Sequence, residues 1–171
     1  MSIPIFFLVL LFAVPTHQIS DIVTKTCDQT LYKAYCKTEL GSAPVSDVKD
    51  LKSLTVFALK MASLKGVAIV KSIDKFTKAT QDEFAQQCLS DCAEIYQDAI
   101  DQLEDSTAAV DAKKYNDVNT WVTAAMTDST TCEDSFKENK GTKSPLTAEN
   151  TKFSNLCSII LTMSNLLAKT K

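Results

Sequence analysis

The sequence predicts an all-α protein: an up-down-up-down four-helix bundle preceded by an N-terminal helical hairpin that a disulfide can clip. Apolar residues recur every three or four positions through four long stretches, the spacing that puts them on one face of a helix. No stretch alternates with the two-residue period of a strand. Breakers gather at two places, Gly41-Ser42-Ala43-Pro44 and Gly141-Thr142-Lys143-Ser144-Pro145, where glycine suits a left-handed cap and proline cannot continue a helix.

The first segment is of a different kind. Met1 to Val14 is almost wholly apolar and is followed by Pro15 and a polar stretch to Ser20. Such a run is short for a membrane span and fits the core of a secretory signal peptide over residues 1–20, with cleavage expected between Thr16 and Ile22. The remaining domain, residues 21–171, is about 150 residues long, enough for one core.

Loss of the leader restricts the chemistry. The one histidine, His17, lies in it, and arginine is absent from the chain. Without histidine there is no Ser-His-Asp or Cys-His nucleophile pair and no usual nitrogen ligand for catalytic zinc, so the reading is of a non-enzyme with no cofactor and no metal. Lysine-only basicity with a net charge of −3 argues against a nucleic-acid partner, which arginine forks read best. No membrane partner is expected, and a charged partner should be basic.

Six cysteines follow the leader: Cys27, Cys36, Cys88, Cys92, Cys132 and Cys157. In a small secreted chain they read first as disulfides, although fifteen full pairings are possible. Cys27 and Cys36 enclose a short loop within the hairpin of residues 21–40, and a bond there is worth roughly 3 kcal/mol in the chain-entropy model. The four-residue spacing of Cys88 and Cys92 fits a core stripe better than a zinc site.

A helix is expected from Val45 to Thr77, with Leu51, Leu54, Ala58, Met61, Ala68, Ile73 and Phe76 inward and a row of lysines on its wet side. Gly66 within it permits a kink or a close helix contact. Thr80-Gln81-Asp82-Glu83 matches a capping box, so the next helix should start near Gln81 and run to about Thr107. Its stripe is Phe84, Cys88, Cys92, Ile95, Ala99 and Leu103. The following helix, from about Ala112 to Glu138, carries Tyr115, Val118, Val122, Ala125, Ser129, Cys132 and Phe136. The short interval 106–111 makes these two helices antiparallel. Cys92, early in one, then meets the level of Cys132, late in the next, and a bridge is plausible. Thr147 can cap a last helix with Phe153, Leu156, Cys157, Ile160, Met163 and Leu167 inward. Cys88 and Cys157 fall on diagonal helices, usually too far apart for a disulfide, and are expected as buried free thiols.

Two rows of polar side chains remain for binding. Glu94, Asp98 and Asp101 recur along one helix face opposite its apolar stripe. Asn116, Asn119 and Thr123 form a row on the next helix, with Thr131 and Asp134 near its far end. Met61, Met126, Met163 and the spare cysteines also permit a small carrier with an apolar cavity, although methionine stripes usually fill core. No Asn-x-Ser/Thr triplet occurs after the leader, so an unglycosylated product is expected.

The Cys27…Cys36 hairpin, the run Asp91-Cys92-Ala93-Glu94-Ile95-Tyr96-Gln97-Asp98-Ala99-Ile100, the pair Ala124-Ala125 with Thr131-Cys132-Glu133-Asp134-Ser135-Phe136, and the ending Leu156-Cys157-Ser158-Ile159-Ile160-Leu161-Thr162-Met163 together resemble the plant invertase and pectin methylesterase inhibitor family. The resemblance covers everything after the leader. It implies a secreted four-helix bundle with pairings Cys27 to Cys36 and Cys92 to Cys132 and with Cys157 free; Cys88 has no counterpart. It implies a one-to-one partner, a plant pectin methylesterase or an acid invertase, met in the apoplast or cell wall, or in the vacuole for a vacuolar invertase. Family members directed at invertase insert a Pro-Lys-Phe turn. The corresponding Asp111-Ala112-Lys113-Lys114-Tyr115-Asn116 lacks the proline and has tyrosine for phenylalanine, which weakens the invertase reading, and the Cys132-Glu133-Asp134-Ser135-Phe136 segment and the Leu156-Cys157 ending look more like the pectin methylesterase branch. On that reading Glu94, Asp98, Asp101, Asn116, Asn119, Thr123, Thr131 and Asp134 face the enzyme and cover its pectin groove.

Overall fold

The computed structural model describes residues 19–139 and 141–170; the expected leader, apart from Ile19 and Ser20, lies outside the described residues. Among the described residues six α-helices follow one another: α1 (Asp21–Cys27), α2 (Lys33–Leu40), α3 (Leu51–Ala79), α4 (Glu83–Asp111), α5 (Tyr115–Ser135) and α6 (Thr147–Lys169). A 3-10 turn, Phe136–Glu138, finishes α5. No strand occurs among the described residues. Helices α3 to α6 form an antiparallel bundle in which α3 packs on α4, α4 on α5, α5 on α6 and α6 back on α3.

The hairpin is closed by the Cys27–Cys36 disulfide, with Cα atoms 5.5 Å apart. An ion pair from Lys37 to Asp28 adds to it and holds the Asp28 carboxyl below its usual range. The hairpin is fastened to the bundle by Val23, Cys27, Cys36 and Leu40 in the core, by the Tyr35 hydroxyl donating to the Lys152 carbonyl at 2.9 Å, and by a Lys65–Glu39 pair at 2.9 Å.

Helix α3 begins at Leu51, six residues later than expected from Val45. The reason is a capping box: the Asp50 carboxylate accepts from the Ser53 amide, and the Ser53 hydroxyl accepts from the Asp50 amide. Residues before it form a turn on the Pro44 carbonyl, with Val48 buried and Val45 exposed. By length and composition α3 is apolar enough to cross a membrane, yet Leu54, Ala58, Leu59, Ala62, Ile69 and Ile73 are in the bundle core. Ala68, expected inward, is exposed; Gly66 and Ile69 take its place.

The expected capping box at Thr80–Glu83 is not the one formed. Thr80 ends α3, with its hydroxyl accepting from the Asp82 amide, and Asp82 is the true N-cap, accepting from Phe84 and Ala85. An aspartate two positions nearer the stripe competes successfully with threonine for the same free amides. Helix α4 then continues to Asp111, four residues past expectation, because Ala109 and Val110 remain buried. The connection to α5 shrinks to residues 112–114, and Lys113 takes a left-handed φ of 58° to close it. On α4, Ile95 is half-buried and Tyr96 fully buried, so the inward stripe runs through Leu89, Cys92, Tyr96, Ala99 and Leu103.

Every residue of the stripes expected on α5 and α6 is buried. Thr147 is not a cap: it is the first residue of α6, and the Ser144 hydroxyl accepts from the Leu146 amide just before it. Cys92 and Cys132 are bonded, with Cα atoms 5.0 Å apart, and Cys88 and Cys157 are free and buried. Burial pushes the Cys157 thiol far up, which keeps it protonated. Met163 is buried, and Met61 and Met126 pack on the core from its edge.

Candidate functional site

The Cys92–Cys132 bond and the short 112–114 turn fix how α4 and α5 lie against each other. Counting from the Cys92–Cys132 bond in that antiparallel register, Glu94 falls level with about Thr130 and Thr131, Asp98 with about Met126 to Asp128, whose carboxyl feels its charge, and Asp101 with about Thr123 to Ala125. The acidic row therefore stands beside the C-terminal half of α5. Asn116 and Asn119 lie nearer the turn, about two and a half and one and a half helical turns beyond the level of Asp101.

Glu94, Asp98 and Asp101 are all exposed. Asp101 accepts from the Gln97 amide at 3.2 Å, and Gln87 holds Asp91 in the same way at 2.8 Å, so glutamines one turn away order part of the row. On α5 the exposed face reads Asn116, Thr120, Thr123, Thr127, Thr130, Thr131 and Asp134, a longer polar ridge than the sequence reading named. Thr120, Thr127 and Thr130 donate their hydroxyls to backbone carbonyls within α5, which leaves oxygen lone pairs directed outward as acceptors. Asp134 is paired with Lys137 at 2.7 Å. Asn119 departs from the expected pattern: it is half-buried, its amide donates to Asn165 Oδ1 on α6 at 2.8 Å, and its own carbonyl oxygen is enclosed without a partner.

Four polar residues that periodicity did not single out lie beneath and between these rows. Tyr96 on α4 reaches across the bundle, donating its hydroxyl to Asn150 Oδ1 on α6 at 2.7 Å and meeting the Phe153 ring edge-on at 5.2 Å. The Asn150 amide donates to Glu133 Oε2 at 2.8 Å, and the other oxygen of Glu133 accepts from the Thr147 hydroxyl at 2.7 Å. This chain of bonds runs from α4 through α6 to α5 beside the central disulfide. Its Asn150 and Glu133 line a groove of about 210 Å³ between α5 and α6, bordered by Thr130, Asp134, Thr151 and Asn155. The available signal was a polar residue on an apolar stripe: Asn150 stands three positions before Phe153.

The fourth is Asp128, half-buried on α5. Burial first, and the charge of Asp98 second, push its carboxyl up to about 6, and its Oδ2 is enclosed without a hydrogen bond. None of these groups makes a nucleophile–base pair, and among the described residues no cluster of His, Cys, Asp and Glu is suited to hold a metal ion. The arrangement is that of a binding face with a rigid polar floor.

Residues 21–163 match the family described as plant invertase/pectin methylesterase inhibitor. The chain belongs to that family. It is 34% identical over 172 residues to a protein of Platanus acerifolia provisionally named an invertase inhibitor, with 97% of this chain and 96% of that one covered. It is 32% identical over 170 residues to the pectinesterase inhibitor of Actinidia deliciosa, covering 96% and 92% of the two chains. A mutant form of a pectin methylesterase inhibitor from Arabidopsis superposes with a TM-score of 0.72 at 23% identity, covering 86% of this chain and 97% of that one, and shares the fold. The family is one of inhibitors, as the resemblance of its sequence motifs had implied.

Proposed function

We propose that this inhibitor acts after secretion, binding a plant pectin methylesterase one-to-one through the acidic row of α4 and the polar ridge of α5. The observation that carries the reading is the side-by-side exposure of Glu94, Asp98 and Thr131 on two helices that a disulfide locks in register. Carboxylates on a rigid face steer a basic surface into place, and threonine and asparagine oxygens then accept its hydrogen bonds. Thr123 and Asn116 extend the same ridge toward the turn. Inhibition follows from cover: once the bundle lies over the groove, the polysaccharide cannot enter. No group on the inhibitor takes part in bond making.

Acid invertase is the second reading, and the Platanus relative favours it. Against it stands Tyr115, which occupies the place of the exposed aromatic in the invertase-directed turn. Its side chain is only 8% exposed, and its carbonyl accepts from the Ser164 hydroxyl at 3.2 Å. Ala112, Lys113 and Lys114 are the exposed residues of the turn, with no aromatic among them.

Titrating the purified protein into each enzyme separates the two targets; slowing of pectin methylesterase alone is expected. Glu94→Lys with Asp98→Lys should weaken that inhibition while helical content stays intact. Full inhibition by the double variant places the binding face elsewhere.

A further inference from the structure

The charges of this protein are segregated by helix. Helix α4 carries eight carboxylates and no lysine, and α5 carries four carboxylates and no lysine. Helix α3, packed against α4, carries six lysines and a single carboxylate, Asp74. A net charge of −3 therefore hides a molecule with one acidic side and one basic helix.

The lysines of α3 do not all serve the bundle. Lys52 pairs with Asp111 at the end of α4, and Lys65 pairs with Glu39 in the hairpin. Lys78 pairs with Asp74 at the surface. Lys60, Lys71 and Lys75 are exposed, and among the described residues no carboxylate lies within ion-pair distance of them. At 100° per residue, Lys60, Lys71, Lys75 and Lys78 fall on one side of the helix, a line about 27 Å long. Leu64, 54% exposed, and Val67, 36% exposed, sit on the same line between Lys60 and Lys71. Glu104 of α4 borders the groove on one flank of Lys60, and Asp47, Asp50 and Asp111, the last paired with Lys52, border the groove on its other flank.

We propose that this face of α3 is a second docking surface, and that its partner is a linear polyuronate such as de-esterified pectin. Compact ammonium groups with no arginine fork suit a chain of single carboxylates spaced along a polymer better than bidentate phosphate recognition. The two exposed aliphatic side chains between the lysines give the C–H faces of sugar rings an apolar strip to lie on. The surface is distinct from the acidic α4 side, so one molecule can hold the polymer and the enzyme together. The choice of uronate rests on the pectin methylesterase reading, because hydrolysis of a methyl ester uncovers these carboxylates; the basic face itself does not.

The test measures polymer binding with no enzyme present. Calorimetric titration of the protein with polygalacturonate should show binding at low ionic strength that fades toward about 0.15 M salt, where the screening length shrinks to about 8 Å. The same polymer fully methyl-esterified should not bind. Lys60→Gln/Lys71→Gln/Lys75→Gln should weaken polygalacturonate binding about tenfold, with melting temperature and direct affinity for pectin methylesterase unchanged. Absence of polymer binding at low salt, or binding undiminished in the triple variant, overturns the proposal. So does loss of enzyme affinity in that variant, which would assign α3 to the enzyme interface. Self-association in sedimentation without polymer, abolished by the triple change, would assign the strip to a second copy of the chain and overturn it as well. If the protein inhibits neither enzyme yet binds polygalacturonate through these lysines, the functional reading fails and the surface stands.

Discussion

Gly66 of α3 lies so close to Ile100 of α4 that a Cβ placed on it would stand 2.8 Å from Ile100 Cγ1. The glycine is there for the approach of two helices, since α3 runs unbroken through it. Alanine at an interior helical position normally adds about 1 kcal/mol of stability, but overpacking a filled core costs about 1–3 kcal/mol. Ile100 branches at Cβ, one carbon before the one that would be struck, and is buried, so its side chain has little freedom to move. Gly66→Ala should therefore destabilise the bundle by about 1 kcal/mol and Gly66→Val by more, seen as successive falls in the urea midpoint. An unchanged or raised midpoint for alanine would show that the helices slide apart without loss.

Tyr96 and Asn150 make the second prediction. Phenylalanine at 96 keeps the ring against Phe153 but removes the donor to Asn150 Oδ1, leaving a buried acceptor unpaired. The cost should be about 1–3 kcal/mol, whereas a neutral hydrogen bond at the surface would cost far less. Glu133→Gln keeps an oxygen acceptor but removes the charge that strengthens the bond from Asn150, so its cost should be smaller. Denaturant curves on the two variants, and on their double, measure whether the network acts as one unit.

Much of this was legible in the sequence, and the misses have physical causes. The seven inward residues of α5 and six of α6 follow from spacing alone because each helix buries one continuous face. On α3 and α4 the stripe drifts over 29 residues, which is why Ala68 turned outward and Tyr96 inward. Helix starts went astray where two residues compete for the same amides, Asp82 over Thr80 and Asp50 over the earlier residues. The exposed acids of α4 were readable as a row. Asp128 and the Tyr96–Asn150–Glu133 chain were not, because their character comes from neighbours that only the packed bundle supplies.

Reduction should act on the two disulfides unequally. The Cys92–Cys132 bond closes a 40-residue separation, for which the chain-entropy model gives about 4 kcal/mol, and it joins the two helices that bear the binding rows. The Cys27–Cys36 bond spans 9 residues of a peripheral hairpin. Cys92→Ala/Cys132→Ala should lower the melting temperature more than Cys27→Ala/Cys36→Ala does. It should also weaken inhibition by loosening the register of Glu94 against Thr131. Equal losses in the two pairs would show that the hairpin, through Tyr35 and Glu39, contributes as much to the bundle as the central bond.

Asp128 sets a pH dependence whose sign is opposite to that of a salt-bridged aspartate. Its folded-state pKa, about 6, lies above the ordinary value of 3.8, because burial and then the Asp98 charge both disfavour the anion. Tyr96 on α4 and Cys157 on α6, both held neutral, feel the same carboxylate and supply no positive charge. A group raised on folding stabilises the protein while it is protonated. Its contribution is complete below about pH 4 and is lost as pH rises through about 6, where the native state must carry an unpaired, half-buried charge. Asp128→Asn should match the natural chain in stability near pH 4 and exceed it above pH 7, with the gap opening between those values. Asp98→Asn should narrow the gap without closing it, since burial is the larger cause. Melting temperatures of the three proteins across pH 3.5 to 8 provide the check, and a gap that is constant with pH would mean that Asp128 has the same pKa in the folded and unfolded chains.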